Sequence, residues 1–582
     1  MIVGYVRCAA LLVSAAVLGA CGGGGGGSSL VTASQSGTNI VPPVSTDANI
    51  TQLSATNGAI SSSIRAGSHS AIIAVMSGAG DLAPAGNAFA EDSLALTTSA
   101  SGSQSAMRFP HAALQQRTPV EAFPADDART QALVRRMQPS VNAPARVRTQ
   151  SFIAARVGTT SNIWVQKNSL GGNGGAYQSV PATLEIQTAH GNIWIDDSLV
   201  SGSGSSSSFS AGSLSATVAQ IGNDFENAYA SDTAHFASAD YPASAPGLSP
   251  SYKACNADGS DAGSTKAYIG EPADGRINVM IVNPSSFGAG LGGYFSSVNY
   301  MPQVALNCLG GSYRSNEAPF IYVGWFQNTG SDYELKEDLV RATAHELQHL
   351  INFVNHGILT PGNAYEETFI NEGLSMLAQD FAVQRLYGSS GVRFDADDAM
   401  SRASAYLNAP QNYSISAFTG VEDAQTSPQY NCGGGCYGSA YLFQRYLYDR
   451  FGGDAYSQAM ERSGVVGAAN IAAVSHSTLS QVLSDFALAM AANSAAVTPS
   501  DSRYVFGSLD LTGSYSDQFG NSRTLGGVAL TPLSGTSVQV SAPVGGFAFV
   551  NVSKVAPGGQ PFTVTDRDTA SGFALVGGLV QH

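Results

Sequence analysis

Apolar positions in the middle of the chain recur at the spacing of an α-helix. The side chains that share one face of this helix are Leu335, Leu339, Leu347, Leu350 and Val354. Ser331 and Glu334 precede all of them and stand three residues apart, as in a capping box. Gly357 and Pro361 follow, and a glycine in the left-handed conformation ahead of a proline is a common helix end. The pattern therefore predicts a helix from about residue 331 to residue 357.

Apolar runs elsewhere in the chain predict β-strands. Alternation with a period of two places every second side chain on one face of a strand, whereas an unbroken run indicates a strand buried on both faces. Segments of these kinds lie at 162–165, 183–186, 192–195, 276–282 and 320–326. Helical spacing returns after Leu214, with Val218, Ile221 and Phe225 on one face. This mixture of elements predicts an α+β fold.

Composition divides the chain into segments of different character. Residues 22 to about 110 are rich in glycine, serine, alanine and threonine and hold few large apolar side chains. Such a stretch buries too little surface to offset the entropy lost on ordering, which indicates a disordered, flexible tether. The predicted organisation is a signal peptide at 1–21, the tether, part of which could be a pro-segment, at 22–145, a small β domain at 146–200, a larger mixed domain at 201–499 and a β-sandwich-like accessory domain at 500–582.

The first residues have the pattern of an export signal. Arg7 supplies a weak positive charge ahead of an apolar stretch at 9–18, which is too short for a membrane-spanning helix. Leu18-Gly19-Ala20-Cys21 then resembles a bacterial lipobox. We therefore expect an exported lipoprotein anchored by acyl chains on Cys21, and the glycine after that cysteine favours the outer membrane or cell surface. The alternative is an ordinary cleaved signal and a secreted protein.

The charge of the chain argues against a nucleic-acid partner. Its 582 residues carry a formal net charge of −15, and only 12% of them are charged. A protein that binds nucleic acid normally presents a cluster of Lys and Arg side chains, and the sequence contains no basic run. We expect a protein or peptide substrate, contact with the membrane only through the lipid on Cys21, and a monomer as the working assumption.

The cysteine count agrees with export. Cys8 leaves with the signal peptide and Cys21 takes the lipid. The cysteines that remain are Cys255, Cys308, Cys432 and Cys436. An even number in an oxidising compartment indicates two disulfide bonds. Three pairings are open, and we favour Cys255–Cys308 together with Cys432–Cys436, which closes the glycine loop between them.

The helix predicted at 331–357 carries a metal-binding pattern. It contains His345-Glu346-Leu347-Gln348-His349, and residues four apart project from one face of a helix. Both imidazoles can therefore turn a ring nitrogen toward one ion, as in the zinc motif His-Glu-x-x-His. Glu346 falls beside the ion, where its carboxylate can take a proton from an attacking water. The sequence shows no Asp-x-Asp loop, so calcium binding is possible but unsupported. A catalytic zinc needs a third protein ligand.

A second predicted helix offers that third ligand. Its segment Asn371-Glu372-Gly373-Leu374-Ser375 resembles the second motif of the gluzincins, metallopeptidases whose third zinc ligand is a glutamate on a following helix. The resemblance implies that Glu372 is the ligand. Glu366 and Glu367 are competitors, because they stand nearer the usual gluzincin spacing.

His356, near the end of the helix that carries His345 and His349, does not fit a metal site. A metzincin site needs glycine and histidine where this chain has Asn352 and Asn355. His356 is one position away from that pattern. We expect it to lie at the helix C-terminus, where a cation is favourable.

Several segments, taken in order, narrow the resemblance to one family. They are 292–298, 315–318, 344–353, 371–375 and 436–447. Over about residues 210–490 the chain is similar to the hyicolysin family of secreted bacterial neutral metallopeptidases. The resemblance implies a thermolysin- or gluzincin-like catalytic domain at 201–499, with a mixed sheet, zinc-binding helices, a helical subdomain and one catalytic Zn²⁺.

The same resemblance implies further roles. In related gluzincins a tyrosine or histidine on a downstream helix donates a hydrogen bond to the developing oxyanion, which points to Tyr437, with Tyr441 second. The strand at 320–326 resembles the edge strand that pairs with an extended substrate, although a plain core strand fits equally well. Candidates for carboxylates that orient the zinc histidines are Asp338, Glu367 and Asp380.

These observations predict an exported, lipid-anchored zinc endopeptidase. In this hydrolase His345, His349 and Glu372 hold the metal, and Glu346 and Tyr437 act on the substrate. The alternative is a catalytically inactive surface lipoprotein whose metallopeptidase-like domain only binds a partner. The intact Glu346 argues against that alternative, since a binding module needs no general base.

Overall fold

Helices and strands both contribute to the computed structural model of the chain, which is a mixed α+β structure. The structure describes residues 47–54, 59–77, 91–98, 155–167, 176–201, 214–239, 251–266, 274–287, 292–310, 313–325, 332–359, 365–387, 394–396, 398–415, 433–516, 522–533, 536–543, 545–566 and 575–581. The predicted signal peptide with Cys21 and the predicted helix cap Ser331 lie outside these residues. No helix in the described ranges combines the length and hydropathy needed to cross a membrane.

The strands of the described residues fall at the two ends and in the middle of the chain. They are β1 (Ile50–Ser54), β2 (Ala59–Ile64), β3 (Ala71–Ser77), β4 (Glu91–Thr98), β5 (Thr160–Lys167), β6 (Ala176–Gln187), β7 (Gly191–Asp196), β8 (Ser251–Cys255), β9 (Asp261–Lys266), β10 (Ile277–Val282), β11 (Gly293–Phe295), β12 (Phe320–Gly324), β13 (Ser514–Ser516), β14 (Ser522–Thr524), β15 (Thr531–Pro532), β16 (Ser537–Pro543), β17 (Phe547–Val552), β18 (Gln560–Asp566) and β19 (Leu575–Gln581).

The helices concentrate between residues 332 and 494. They are α1 (Asp197–Ser201), α2 (Leu214–His235), α3 (Pro284–Phe287), α4 (Gln303–Leu306), α5 (Asp332–Asn352), α6 (Thr368–Tyr387), α7 (Ala399–Leu407), α8 (Gly433–Arg450), α9 (Asp454–Arg462), α10 (Ala468–Ser475) and α11 (Leu479–Ser494). A π-helical segment, Phe353–Leu359, continues α5.

A six-stranded sheet in the order β11-β12-β10-β7-β6-β5 supports the middle of the chain. Strand β10 runs parallel to both β7 and β12, whereas β11 pairs antiparallel with β12. Along β10, Val279 and Ile281 join the core under the helices, while Met280 and Val282 join a separate core on the opposite face. The apolar runs therefore form strands at Ile277–Val282 and Phe320–Gly324 that are buried on both faces, as predicted.

Two positions in this sheet differ from the predictions. Strand β12, at Phe320–Gly324, lies between β11 and β10, so the core-strand alternative is confirmed and the edge-strand alternative is wrong. Among the described strands, β11 is the one at this edge of the sheet. Strands β5 to β7, predicted as a small domain at 146–200, pair into the same sheet as β10. The run at 277–281 offers β7 a parallel partner, which explains why a separate unit does not form.

A pair of sheets joins the two ends of the described chain. One has the order β1-β19-β3-β17-β15 and the other the order β16-β4-β18-β2, and apolar side chains from both sheets share one core. The predicted tether is therefore wrong for residues 50–98, and the accessory unit predicted at 500–582 includes these N-terminal strands. The average composition hides the apolar run at 71–76, which is buried because one face of β3 joins the core shared by the two sheets and the other joins the core of the helices.

The end of the zinc-motif helix also differs from its prediction. Gly357 lies inside the π-helical segment and has no positive φ, so it does not end the helix in the left-handed conformation. A Cβ atom at this position would lie 2.8 Å from the ring of Phe353, and glycine leaves room for that ring.

A disulfide bond links β8 to the short 3₁₀ turn that follows α4. It joins Cys255 to Cys308, with Cα atoms 5.1 Å apart, as favoured from the sequence. Cys436 is also disulfide-bonded, and its predicted partner, Cys432, lies outside the described residues.

Candidate metal centre

Two packed helices bring three ligand-type side chains together. His345 and His349 lie one turn apart on α5, and Glu372 lies on α6. Each is at most 3% exposed. One ligand atom from each residue can be chosen so that all three lie within 4.8 Å of one another. This buried group could hold a metal ion.

The spacing of the three side chains fits a tetrahedral ion. Glu372 Oε2 lies 3.2 Å from His345 Nε2 and 3.6 Å from His349 Nε2. Zinc–ligand bonds of about 2.0–2.1 Å at the tetrahedral angle place neighbouring ligand atoms about 3.3 Å apart. Glu372 Oε2 makes no hydrogen bond to any described residue, although it is fully buried. A buried oxygen that faces two imidazole nitrogens without hydrogen bonding is what a metal would satisfy.

The charge states of two of these groups suit metal binding. Burial lowers the pKa of His349, and Glu372 opposes that effect only in part. Burial alone would raise the pKa of Glu372, but the imidazoles of His349 and His345 outweigh it and hold that pKa at about 2. At neutral pH the carboxylate is therefore ionised and the His349 imidazole is neutral, as metal coordination requires.

The predicted base is buried on the same helix as the two histidines. Glu346 follows His345 on α5 and is 2% exposed. Gly293, in the edge strand β11, packs against it, because a Cβ atom at Gly293 would lie 3.1 Å from Glu346 Cγ and Oε1. The same atom would lie 2.7 Å from the backbone oxygen of Tyr322. Only a residue without a side chain lets the edge strand pass this close to the Glu346 carboxylate.

The predicted oxyanion donor also lies at the group. Tyr437 on α8 is 2% exposed, and its ring centroid is 6.3 Å from that of His345. The guanidinium of Arg402 lies 4.4 Å above the Tyr437 ring, an arrangement that fixes the ring by a cation–π contact. The alternative, Tyr441, donates its hydroxyl to Asp380 Oδ2 at 3.0 Å and belongs to a different cluster.

The competing ligands Glu366 and Glu367 lie outside the three-residue group that the structure brings together. Glu366 accepts hydrogen bonds from the Gly467 N–H and from Asn470 Nδ2, both at 2.6 Å. Burial raises its pKa to about 7. Glu367 packs against Gly467. Both side chains therefore face the Gly467 loop and the start of α10.

The carboxylates proposed to orient the histidines do not do so where they are described. Asp380 Oδ2 accepts from Arg445 Nη1 at 3.1 Å and from Tyr441, and Glu367 packs against the Gly467 loop. The side chain of Asp338 lies outside the described residues. A polar chain that the sequence analysis missed reaches His349 instead.

That chain leads from the metal group to α9. Ser375 Oγ lies 3.1 Å from His349 Nδ1 and donates to Gln348 Oε1. Gln348 Nε2 donates to Glu461 Oε1 at 2.8 Å, and Asn352 Nδ2 donates to Glu461 Oε2 at 3.0 Å. Ser375 stands in the Asn-Glu-Gly-Leu-Ser segment, one turn after Glu372, so its position on the ligand face of α6 was the available signal.

The histidine expected at the helix end lies there, in the last turn of the π-helical segment, but it is buried. His356 is 1% exposed, and its Nε2 lies 2.9 Å from the backbone oxygen of Met460. Burial lowers its pKa, so it is neutral and donates to that oxygen. The expectation of a cation at the helix end is therefore wrong.

Comparison with known proteins does not identify a family for this chain. No protein-family model matches the chain, and a search of curated proteins finds no match. The resemblance to the hyicolysin family rests on the sequence motifs.

Proposed function

We propose that this protein is an exported, lipid-anchored zinc endopeptidase of the gluzincin type. The observation that carries the proposal is the buried group of His345, His349 and Glu372, with Glu346 beside it. The hyicolysin-like motifs support it, and a thermolysin-like fold for the middle of the chain is part of the proposal. The membrane anchor rests on the lipobox-like residues that end at Cys21.

The proposed reaction divides between the ion and the protein. Zinc held by His345, His349 and Glu372 would supply Lewis acidity, which lowers the pKa of water and polarises a carbonyl. Glu346 accepts the proton of the attacking water and then delivers it to the leaving amine. Tyr437, next to His345, donates a hydrogen bond to the oxygen on which negative charge develops.

The edge of the sheet offers a place for the peptide. Strand β11 ends the sheet order among the described strands, so an extended peptide can pair with it through main-chain hydrogen bonds. Gly293 in that strand lies against Glu346. A peptide paired with β11 would therefore pass over the base and beside the metal ligands, which favours cleavage within a chain.

Hydrolysis of an internally quenched peptide library by the full-length protein tests this proposal. Wild type and Glu346→Gln would each be assayed with and without a zinc chelator. We expect internal cleavage that falls about 10³-fold in Glu346→Gln and disappears on chelation, because the proton transfer and the metal are both removed. Cleavage that survives in Glu346→Gln contradicts the assigned base. No cleavage by folded, zinc-loaded wild type favours the binding lipoprotein.

Tyr437 is tested by a pair of matched variants. Tyr437→Phe keeps the ring under Arg402 but removes the hydroxyl, and we expect kcat to fall about 100-fold with little change in KM. Tyr441→Phe removes a hydroxyl one helical turn away that serves Asp380. We expect this control to lower stability and to keep kcat near the wild-type value. Equal effects of both variants on kcat would remove Tyr437 from the mechanism.

A further inference from the structure

We propose that Glu461 is a positioning residue for His349 and that it acts through Gln348 and Ser375. This inference rests on the proposed metal site and deepens it. Glu461 lies on α9, outside the motifs that hold the metal, and its carboxyl does not contact any of the three ligands. Its effect is to fix which ring nitrogen of His349 carries the hydrogen.

The first step is the direction of the Gln348 amide. Glu461 is fully buried, and its two oxygens accept from Gln348 Nε2 and Asn352 Nδ2. Above its pKa of about 8, Glu461 is a carboxylate that only accepts hydrogen bonds, so Gln348 must turn its NH₂ group toward it. The oxygen of the same amide then points the other way, toward Ser375.

The second step is the direction of the Ser375 hydroxyl. Gln348 Oε1 accepts the Ser375 O–H, which uses the single hydrogen that this hydroxyl can donate. The lone pairs of Ser375 Oγ remain as acceptors beside the His349 ring. Oγ lies 3.1 Å from Nδ1 and 3.3 Å from Nε2.

The third step is the tautomer of His349. Nε2 faces Glu372 Oε2 at 3.6 Å, where the metal group converges, so Nδ1 is the nitrogen that donates to Ser375. A hydrogen on Nδ1 leaves the lone pair of Nε2 free for the ion. If the hydroxyl were reversed, it would donate to Nδ1 and the hydrogen would move to Nε2, which blocks coordination.

The identity of residue 461 matters because only an ionised carboxylate, which cannot donate, imposes one direction. A glutamine there could present either its oxygen or its nitrogen to Gln348, and Asn352 could turn to match. Both amide orientations would then be populated, and with them both tautomers of His349. Glu461→Gln therefore keeps the shape of the side chain and removes only the directional constraint.

The test is the zinc dissociation constant of the full-length protein at pH 9, where Glu461 is ionised, measured by competition with a chromophoric chelator. The variants are Ser375→Ala, Glu461→Gln, the double variant and Glu366→Gln as a control. Ser375→Ala should bind zinc about 10- to 100-fold more weakly, and Glu461→Gln several-fold more weakly. The double variant should bind like Ser375→Ala alone, because the relay is already broken. Glu366→Gln, a buried carboxyl without a link to His349, should bind like wild type.

A second measurement separates positioning from structure. Side-chain ¹⁵N spectra of the metal-free protein at pH 9, labelled at histidine, report which ring nitrogen of His349 carries the hydrogen. We expect Nδ1–H in wild type and a mixture in Glu461→Gln, whereas a purely structural role would change only the unfolding midpoint.

Three results separate the outcomes. Wild-type affinity and a wild-type tautomer in Glu461→Gln would overturn the relay. Effects that multiply in the double variant would overturn it as well, since Glu461 would then act independently of Ser375. If wild type itself binds no zinc, or if His345→Ala binds as well as wild type, the proposed metal site fails instead.

Discussion

Two buried glutamates on neighbouring parts of the helical region have opposite acid strengths. Glu372 is 2% exposed and Glu461 is fully buried. Two imidazoles hold the pKa of Glu372 at about 2 against the effect of burial. Burial and the nearby Glu366 raise the pKa of Glu461 to about 8, although two amides donate to it. The partners of a buried carboxyl, more than its depth, decide whether it is charged at neutral pH.

The difference matches what each position has to do. A metal ligand must be an anion, and Glu372 is ready to serve as one before any ion arrives. Glu461 is separated from the metal ligands by Gln348 and Ser375, and its proposed role is to set the direction of their hydrogen bonds. A third environment lies between these extremes, because burial raises the pKa of Asp380 to about 6 even though Arg445 lies beside it.

The largest expected effect comes from removing the negative charge of Glu372, the proposed metal ligand. Glu372→Gln replaces the anionic ligand with a neutral amide, and we expect zinc affinity to fall on the order of a thousandfold. Glu367→Gln is the matched control on the segment that leads into α6. Chelator competition would report both constants. The assignment fails if Glu367→Gln is the variant that loses zinc.

The buried ion pair between Arg445 and Asp380 can be removed without changing either glutamate. Arg445→Met leaves Asp380 buried without its cation, and we expect the free energy of unfolding to fall by about 4 kcal/mol. Urea unfolding of the chelated protein measures it. Arg276→Met removes a guanidinium from a partly exposed pair with Asp274 and should cost less than about 1 kcal/mol. Similar losses at both sites would show that burial does not set the strength of these pairs.

The raised pKa of Glu366 should make the free energy of unfolding fall as pH rises. The pKa of Glu366 is about 7 in the folded protein, against an ordinary value of 4.5. The folded state therefore binds protons more tightly than the unfolded state between about pH 4.5 and 7, and the free energy of unfolding decreases over that window. Glu366→Gln should reduce the decrease by about 3 kcal/mol.

Unfolding of the chelated protein at several pH values tests this dependence. Glu367 and Glu461, which stand close to Glu366, also have raised pKa values, so they act in the same direction. An equal decrease in wild type and Glu366→Gln would mean that Glu366 is not the group responsible.

The smallest expected effect separates stability from positioning within the Glu461 environment. Asn352→Leu removes one donor to Glu461 but leaves Gln348 facing it. We expect a loss of about 1 kcal/mol in the free energy of unfolding at pH 9, where Glu461 is ionised, and a smaller loss at pH 6. Zinc affinity should stay at the wild-type value. A large loss of affinity would mean that Asn352, and not Gln348, carries the link to the metal.

Local patterns predicted the parts of the structure that depend on local spacing. The helix of His345 and His349 follows from residues three and four apart, and the strand at 276–282 follows from one unbroken apolar run. The Cys255–Cys308 bond needed only a cysteine count and a choice among three pairings. Glu372 required the resemblance to a known motif, because nothing local to it identifies a partner on another helix.

The missed features all depend on partners far away in the sequence. Glu461 is 113 residues from Gln348, and no periodicity links the two. The strands between residues 50 and 98 look too polar to order by themselves, but they do not have to, since strands beyond residue 530 supply the rest of their core. Edge position in a sheet is likewise a property of the complete strand order, which is why β11 and not β12 is the edge.

The place of β19 decides when β1 and β3 can pair. Ile50 pairs with Val580, and β19 inserts between β1 and β3 in one sheet. During synthesis the first strands must therefore wait for the last one, whereas the helices that carry the metal ligands can pack earlier. Without β19, β1 would have no partner among the described strands and β3 would keep only β17. Until β19 is in place, both strands therefore expose unpaired backbone to proteases and to other chains.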